Sequence, residues 1–255
     1  NEIGHKKFEI RDIVQKDSFS YFVATTLGIF SYIPGQQLSL RKLPFAGELH
    51  TDKLFLTTDD ILWYAAEGKI YCYDLTRKRL SKTLTVESKV QSIINGNNGL
   101  IYVATWTKGL YVLDREGILK EHLTASVGEK LRYDWIICAV LSRNKKYIWI
   151  GYNGGKGFYT SNNGLQSDFI FQTEMDNHQN LWISTPTEIF FKPAGKEDIT
   201  RTGIQLPDLN NDVLQNIFRG PKGNFIFFRK DKLVEIQADN FFNSEYPSKI
   251  LLTSV

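Results

Sequence analysis

Long apolar runs are missing from this chain of 255 residues. The longest, Trp135-Ile136-Ile137-Cys138-Ala139-Val140-Leu141, falls far short of the roughly twenty residues that a membrane-spanning helix needs. The opening stretch, Asn1 to Phe8, is polar and lacks the apolar core of a signal peptide. Any export signal or membrane tether is therefore expected outside this sequence. Cysteine occurs only twice, at Cys72 and Cys138, each inside an apolar strand-like run where a small hydrophobe also fits. They fall two repeats apart, which argues against a disulfide and leaves the compartment open. An excess of one charge is missing too. The net charge is +3, with acids and bases interleaved, which excludes the basic stripe of a nucleic-acid-binding domain.

Recognisable catalytic and metal patterns are equally scarce. His5, His50, His122 and His178 show no metal-ligand spacing, and each reads as solvated surface. Gly154-Gly155-Lys156-Gly157 lacks the Ser or Thr of a phosphate loop and opens a strand rather than a helix. Asp59-Asp60 and Asp176-Asn177-His178 sit where turns are expected, so neither reads as half of a carboxylate pair across a cleft. The expectation is no catalytic residue, no metal and no cofactor.

Aromatic residues are what the chain has in abundance, 17 Phe, 12 Tyr and 5 Trp against a single Met. That bias suits pleated, half-buried surfaces. With 42% hydrophobic and 23% charged residues the chain can bury a real core. One phrase recurs six times: a five-residue apolar strand, a short turn, and a second aromatic-rich strand. The first strands include Tyr21-Phe22-Val23-Ala24-Thr25, Leu62-Trp63-Tyr64-Ala65-Ala66, Ile101-Tyr102-Val103-Ala104-Thr105 and Leu181-Trp182-Ile183-Ser184-Thr185. Anchoring on the second position gives Phe22, Trp63, Tyr102, Trp149, Trp182 and Ile226, spaced 33 to 47 residues apart. An apolar strand precedes each pair, and a more polar fourth follows in several, such as Leu80-Ser81-Lys82-Thr83-Leu84.

Four strands per roughly forty residues is the arithmetic of a propeller blade. The predicted fold is all-β: a β-propeller of four-stranded antiparallel blades with about six repeats visible, six- or seven-bladed or part of a larger double propeller. Residues 1–247 are assigned to the propeller and 248–255 to an exit strand. The unit at Tyr147 to Gln166 is too short for an outer strand, and ring closure is expected to draw on Glu2 to Lys7.

The run Asp176-Asn177-His178-Gln179-Asn180-Leu181-Trp182-Ile183-Ser184-Thr185, preceded by Gly164-Leu165-Gln166-Ser167, resembles the two-component-regulator propeller repeat. In that repeat a "GL-x-S" opening leads to a "D-x-x-G-N-L-W-I-G-T" hairpin. Weaker echoes stand at Asn98-Gly99-Leu100-Ile101-Tyr102 and Gly223-Asn224-Phe225-Ile226. His178-Gln179 replaces the usual turn glycine. The resemblance implies the periplasmic sensor region of a hybrid two-component system histidine kinase from gut Bacteroides-type bacteria. The fragment would be non-catalytic, any kinase domain lying elsewhere in the full-length protein. It implies an oligosaccharide ligand signalling glycan availability, neighbouring propeller and immunoglobulin-like domains in the same chain, and a homodimer in the full receptor. Tyr246-Pro247-Ser248-Lys249-Ile250-Leu251 is similar to the opening strand of such an immunoglobulin-like domain.

Propeller geometry says where a ligand would sit. Loops from second to third strands, and from a fourth strand to the next first strand, gather on one face, and ligands favour such convergences. The first loop set carries Trp106, Lys108, Tyr152, Asn153, Lys156 and Arg229, the second Arg132, Tyr133 and Trp135. Aromatic faces beside Arg, Lys and Asn suit a sugar, whose C–H face packs on a ring while its hydroxyls need donors and acceptors. The surplus of cations favours an anionic glycan. The bland alternative makes Trp135 the first core residue of its strand and the charges ordinary surface. A propeller lyase or hydrolase and a protein-docking scaffold remain as alternative functions.

Overall fold

The computed structural model describes residues 2–3, 6–35, 40–97, 99–126, 131–142, 148–152, 165, 170–185, 188–196, 198–205, 217–219, 224–229, 232–237 and 251–254. They divide into two units, residues 1–136 and 137–255.

In the first unit, β1 (Glu2–Ile3) pairs with β2 (Lys6–Lys7) as a two-stranded ribbon. The segment Glu2 to Lys7, read from the sequence as a candidate for ring closure, forms this ribbon among the described residues. Three four-stranded antiparallel meanders follow. The first holds β3 (Ile10–Gln15), β4 (Tyr21–Thr25), β5 (Gly28–Tyr32) and β6 (Leu40–Lys42). The second holds β7 (Thr51–Leu56), β8 (Ile61–Ala66), β9 (Lys69–Asp74) and β10 (Arg79–Thr85). The third holds β11 (Val90–Asn95), β12 (Ile101–Thr105), β13 (Leu110–Leu113) and β14 (Leu119–Leu123).

In the second unit, β15 (Ile136–Leu141) pairs with β16 (Ile148–Tyr152). Residues 153–164, where the rest of this short repeat would fall, lie outside the described residues. Two further meanders complete the unit: β17 (Gln172–Met175), β18 (Leu181–Ser184), β19 (Glu188–Lys192) and β20 (Thr200–Gln205), then β21 (Ile217–Arg219), β22 (Asn224–Arg229), β23 (Lys232–Gln237) and β24 (Leu251–Ser254). Each of the six sequence anchors lies in the second strand of a different sheet. Leu251–Ser254, read from the sequence as part of an exit strand, pairs with β23 as the fourth strand of the last sheet.

Strand β8 shows why the sequence folds this way. Its side chains alternate with period two, yet both faces are buried. Leu62, Tyr64 and Ala66 pack with Phe22, Ala24 and Ile29 of the first sheet. Trp63 and Ala65 pack with Ile101, Val103, Tyr111 and Leu113 of the third. A strand sandwiched between two sheets must be apolar throughout, and the alanines let the sheets approach closely. Each large side chain buried here contributes about 1.5–3 kcal/mol. The outer strands β10 and β14 are almost wholly exposed, which is why Lys, Glu and Ser are tolerated there.

The innermost strands depart from expectation. The sequence places an apolar strand before each pair, but most of β3, β7 and β11 is only half-buried. The cause is topological: each is an edge strand, bonded to one neighbour in its own sheet. Strand β3 lies against β7, and β7 against β11. All three carry a β-bulge at the same register, opposite the last two residues of the second strand.

Candidate functional site

The two loop sets predicted to converge do so in the first unit, and main-chain hydrogen bonds tie them together. Val86 and Glu87 N–H groups donate to the Gly68 carbonyl at 2.9 and 3.0 Å, Trp106 N–H to the Lys89 carbonyl at 2.8 Å, and Gly109 N–H to the Asp134 carbonyl at 3.0 Å. Strand-end threonines close the tight turns. Thr105 Oγ1 donates to the Gly109 carbonyl at 2.8 Å and accepts from Lys108 N–H at 3.1 Å; Thr25 Oγ1 makes the same pair with Gly28 and Leu27. Buried hydroxyls satisfied in this way pin the loop from beneath.

Gly109 is required where it sits. Its φ is +70°, and an added Cβ would lie 2.2 Å from the Leu123 carbonyl oxygen. No other residue lets loop 105–109 meet loop 124–135 so closely.

On this frame the segment Leu131-Arg132-Tyr133-Asp134-Trp135-Ile136 is sorted residue by residue. Leu131 and Ile136 are buried. Asp134 faces inward, its carboxylate accepting from Ala125 N–H at 2.7 Å. Arg132 is exposed, with Tyr133 38% and Trp135 56% exposed. The Arg132 guanidinium carbon stands 6.0 Å from the Tyr133 ring centre, a cation–π arrangement. The reading of Trp135 as the first core residue fails, because Ile136 takes that place and Trp135 stays outside.

Across the Gly109–Asp134 bond, Trp106 is 37% exposed and Lys108 is also exposed. Five of the predicted site residues, Trp106, Lys108, Arg132, Tyr133 and Trp135, therefore share one pair of cross-linked loops. Three exposed aromatics on one pair of joined loops are unusual for ordinary surface.

Tyr152 is half-buried at the end of β16, and Arg229 ends β22, both in the second unit. Asn153 and Lys156 lie outside the described residues.

Two features escaped sequence reasoning. His122 was read as plain surface, yet its ring stacks on Tyr111 at 3.9 Å, and its Nε2 meets the Lys108 carbonyl at 2.6 Å. It buttresses the loop that carries Trp106 and Lys108. Register places it opposite Tyr111 on neighbouring strands, a pairing visible only once strands are aligned. The second is the row of bulges, at Arg11, Asp52 and Gln91. The next residue after the first bulge, Asp12, accepts from Ile13 N–H at 3.0 Å and from Leu54 N–H of β7 at 2.9 Å. Burial raises its carboxyl pKa above the ordinary value, opposed by nearby Lys53 and these two N–H groups.

Neither cysteine is poised for chemistry. Both thiols are free and buried, and burial pushes each up to about 11, away from the reactive thiolate. No cluster of metal-ligating side chains occurs among the described residues.

No family model matches the sequence, and no curated protein matches it. Solved structures do. The extracellular domain of a protein named a hybrid two component system, from B. thetaiotaomicron, aligns with a TM-score of 0.73 at 15% identity, over 96% of this chain and 34% of that one. The chain thus spans about a third of that neighbour's length. Virginiamycin B lyase from Staphylococcus aureus aligns with a TM-score of 0.68 at 14% identity, covering 98% of this chain and 89% of that one. The RRP9 WD40 repeats align at 0.64 with 12% identity, over 97% and 80%. Likeness at such identities fixes the fold. The chain is an all-β propeller built from four-stranded antiparallel blades.

Proposed function

We propose that this chain is a non-catalytic, extracytoplasmic ligand-binding propeller of a hybrid two-component regulator, and that it detects an oligosaccharide on the loop face of its first unit. The observation that carries this reading is the pair of loops joined by the Gly109–Asp134 hydrogen bond, with Trp106, Tyr133 and Trp135 exposed beside Lys108 and Arg132. Large apolar rings held in water on a rigid frame are costly unless something covers them. A pyranose suits the arrangement, since its C–H face stacks on a ring and its hydroxyls accept from Lys and Arg. The fold shared with an extracellular domain of a hybrid two component system supports the same reading, and a propeller of this kind would work with neighbouring domains and a second copy in the whole receptor.

Titration calorimetry of the chain against a panel of neutral and acidic oligosaccharides tests it. One class is expected to bind, and Trp135→Ala or Trp106→Ala to weaken that class by about tenfold, the loss of one stacking contact. Heat-silent titrations across the panel would overturn the reading.

The lyase alternative draws on the likeness to virginiamycin B lyase, which covers most of that enzyme. It predicts turnover of a substrate by the purified chain. Sustained product release from any polysaccharide would replace the sensor reading with an enzymatic one.

A further inference from the structure

Strands β3, β7 and β11 present their bulged residues Arg11, Asp52 and Gln91 at one register on three adjacent inner edges. A bulge frees one residue from the ladder and re-aims its side chain, and bulges recur beside functional sites. Asp12 Oδ2 receives the Leu54 N–H at 2.9 Å, which ties β3 to β7.

Two nitrogens in this row are buried with no hydrogen-bond partner: Arg11 Nε and His50 Nε2. Asp52 Oδ1 is 3.6 Å from the His50 nitrogen, too far for a hydrogen bond. Arg11 spends one terminal nitrogen on Glu9 at 3.0 Å, an exposed pair that adds little, and keeps its Nε–H free. A buried donor left unpaired is costly, so the Arg11 Nε–H calls for an acceptor, while the His50 nitrogen faces the Asp52 carboxylate as an ion-pair partner when the ring is protonated.

The row is continuous with the aromatic loops. Lys89, two residues before Gln91, accepts the Trp106 N–H through its carbonyl. A ligand stacked on the loops would lie next to β11, the inner edge that carries Gln91.

We propose that Arg11, His50, Asp52 and Gln91 form a subsite for an acidic sugar residue, the uronate carboxylate meeting Arg11 and His50 and the ring hydroxyls meeting Asp52 and Gln91. This rests on the oligosaccharide reading and narrows it to uronate-containing chains. The roles follow from the inventory of groups. A guanidinium is a fixed donor fork suited to carboxylate, a carboxylate accepts from hydroxyls, and a carboxamide does both.

The test uses the whole chain labelled with ¹⁵N at arginine, titrated with sodium D-glucuronate and, separately, with D-glucose, which differs only in carrying a hydroxymethyl group where the acid has its carboxylate. The Arg11 Nε–H resonance is identified by its loss in Arg11→Met. Glucuronate is expected to shift it saturably in the millimolar range, as suits one sugar residue, while glucose leaves it in place. Arg11→Lys and Gln91→Ala should each weaken the response at least tenfold, read from the His50 ring signals, with thermal melting unchanged. An absent or non-saturating shift, an equal shift with glucose, or undiminished affinity in Arg11→Lys would overturn the subsite. Failure of the wider reading looks different: silent calorimetry with oligosaccharides while the Arg11 shift persists.

Discussion

The turn before Trp63 and the turn before Trp182 are built on the same main chain and finished with different side chains. In both, a backbone N–H reaches the carbonyl four residues on: Thr57 to Ile61 and Asp176 to Asn180, each at 3.0 Å. In both, the residue before that carbonyl's own has positive φ, Asp60 at 60° and Gln179 at 68°. In both, the indole six residues along is buried. Asp176 then accepts from His178 N–H, Asn180 N–H, Asn180 Nδ2 and Trp182 Nε1, all at 2.8 to 2.9 Å. Thr57 instead spends its hydroxyl on Ile61, accepting from its N–H at 3.0 Å and donating to its carbonyl at 3.1 Å. It is too short to reach further, and Trp63 Nε1 is left buried without a partner. The backbone turn is thus independent of the carboxylate, while satisfaction of the indole depends on it.

Replacing Asp176 tests that contrast most severely. Asp176→Ala removes the acceptor of four hydrogen bonds, three of them buried, and is expected to cost about 3–5 kcal/mol in chemical denaturation. A loss below about 1 kcal/mol would mean that water replaces the carboxylate and the contrast is empty. The reciprocal change, Thr57→Asp, supplies an acceptor for Trp63 and should gain about 1 kcal/mol. In Trp63→Phe, which removes the orphan donor, that gain should vanish, as a double-mutant cycle would show.

Gln179→Gly relieves left-handed strain and should add roughly 1 kcal/mol. Asp60→Gly should add less, because Asp tolerates that conformation better. Equal gains at the two positions would show that side-chain type is immaterial there.

The smallest effect concerns Asp12, another carboxylate that accepts backbone N–H groups, but across two sheets. Its folded pKa lies above the unfolded value of 3.8 because burial disfavours the charge. Between those two values the folded state holds a proton that the unfolded chain has released. This group's contribution therefore falls as pH rises through that window. Asp12→Asn should flatten that segment of the stability–pH profile, and an unchanged slope would discount the burial effect.

Much of this was legible in the residues. The repeated phrase found the second strand of six sheets because sandwiched strands must be apolar on both faces, and that constraint leaves a mark in composition. Asp176 was recognisable as a turn residue, but its grip on Trp182 was not, since six residues of separation become a contact only through the turn's geometry. The aromatic loops were found through topology. Trp135 stayed ambiguous because a tryptophan beside Ile136 fits core and surface equally well, and only Asp134's inward bonds decide which way the segment faces. The bulges at Arg11, Asp52 and Gln91 were invisible, for an extra residue in an edge strand leaves periodicity almost intact over so short a span.

The stitching of the loop face through main-chain atoms has a consequence for how such a protein changes over time. Gly109 to Asp134, Trp106 to Lys89 and Val86 to Gly68 are bonds between peptide groups, so they survive substitution of nearly every side chain above them. Lineages can exchange the outward residues and drift to a new chemical preference while inheriting the same scaffold.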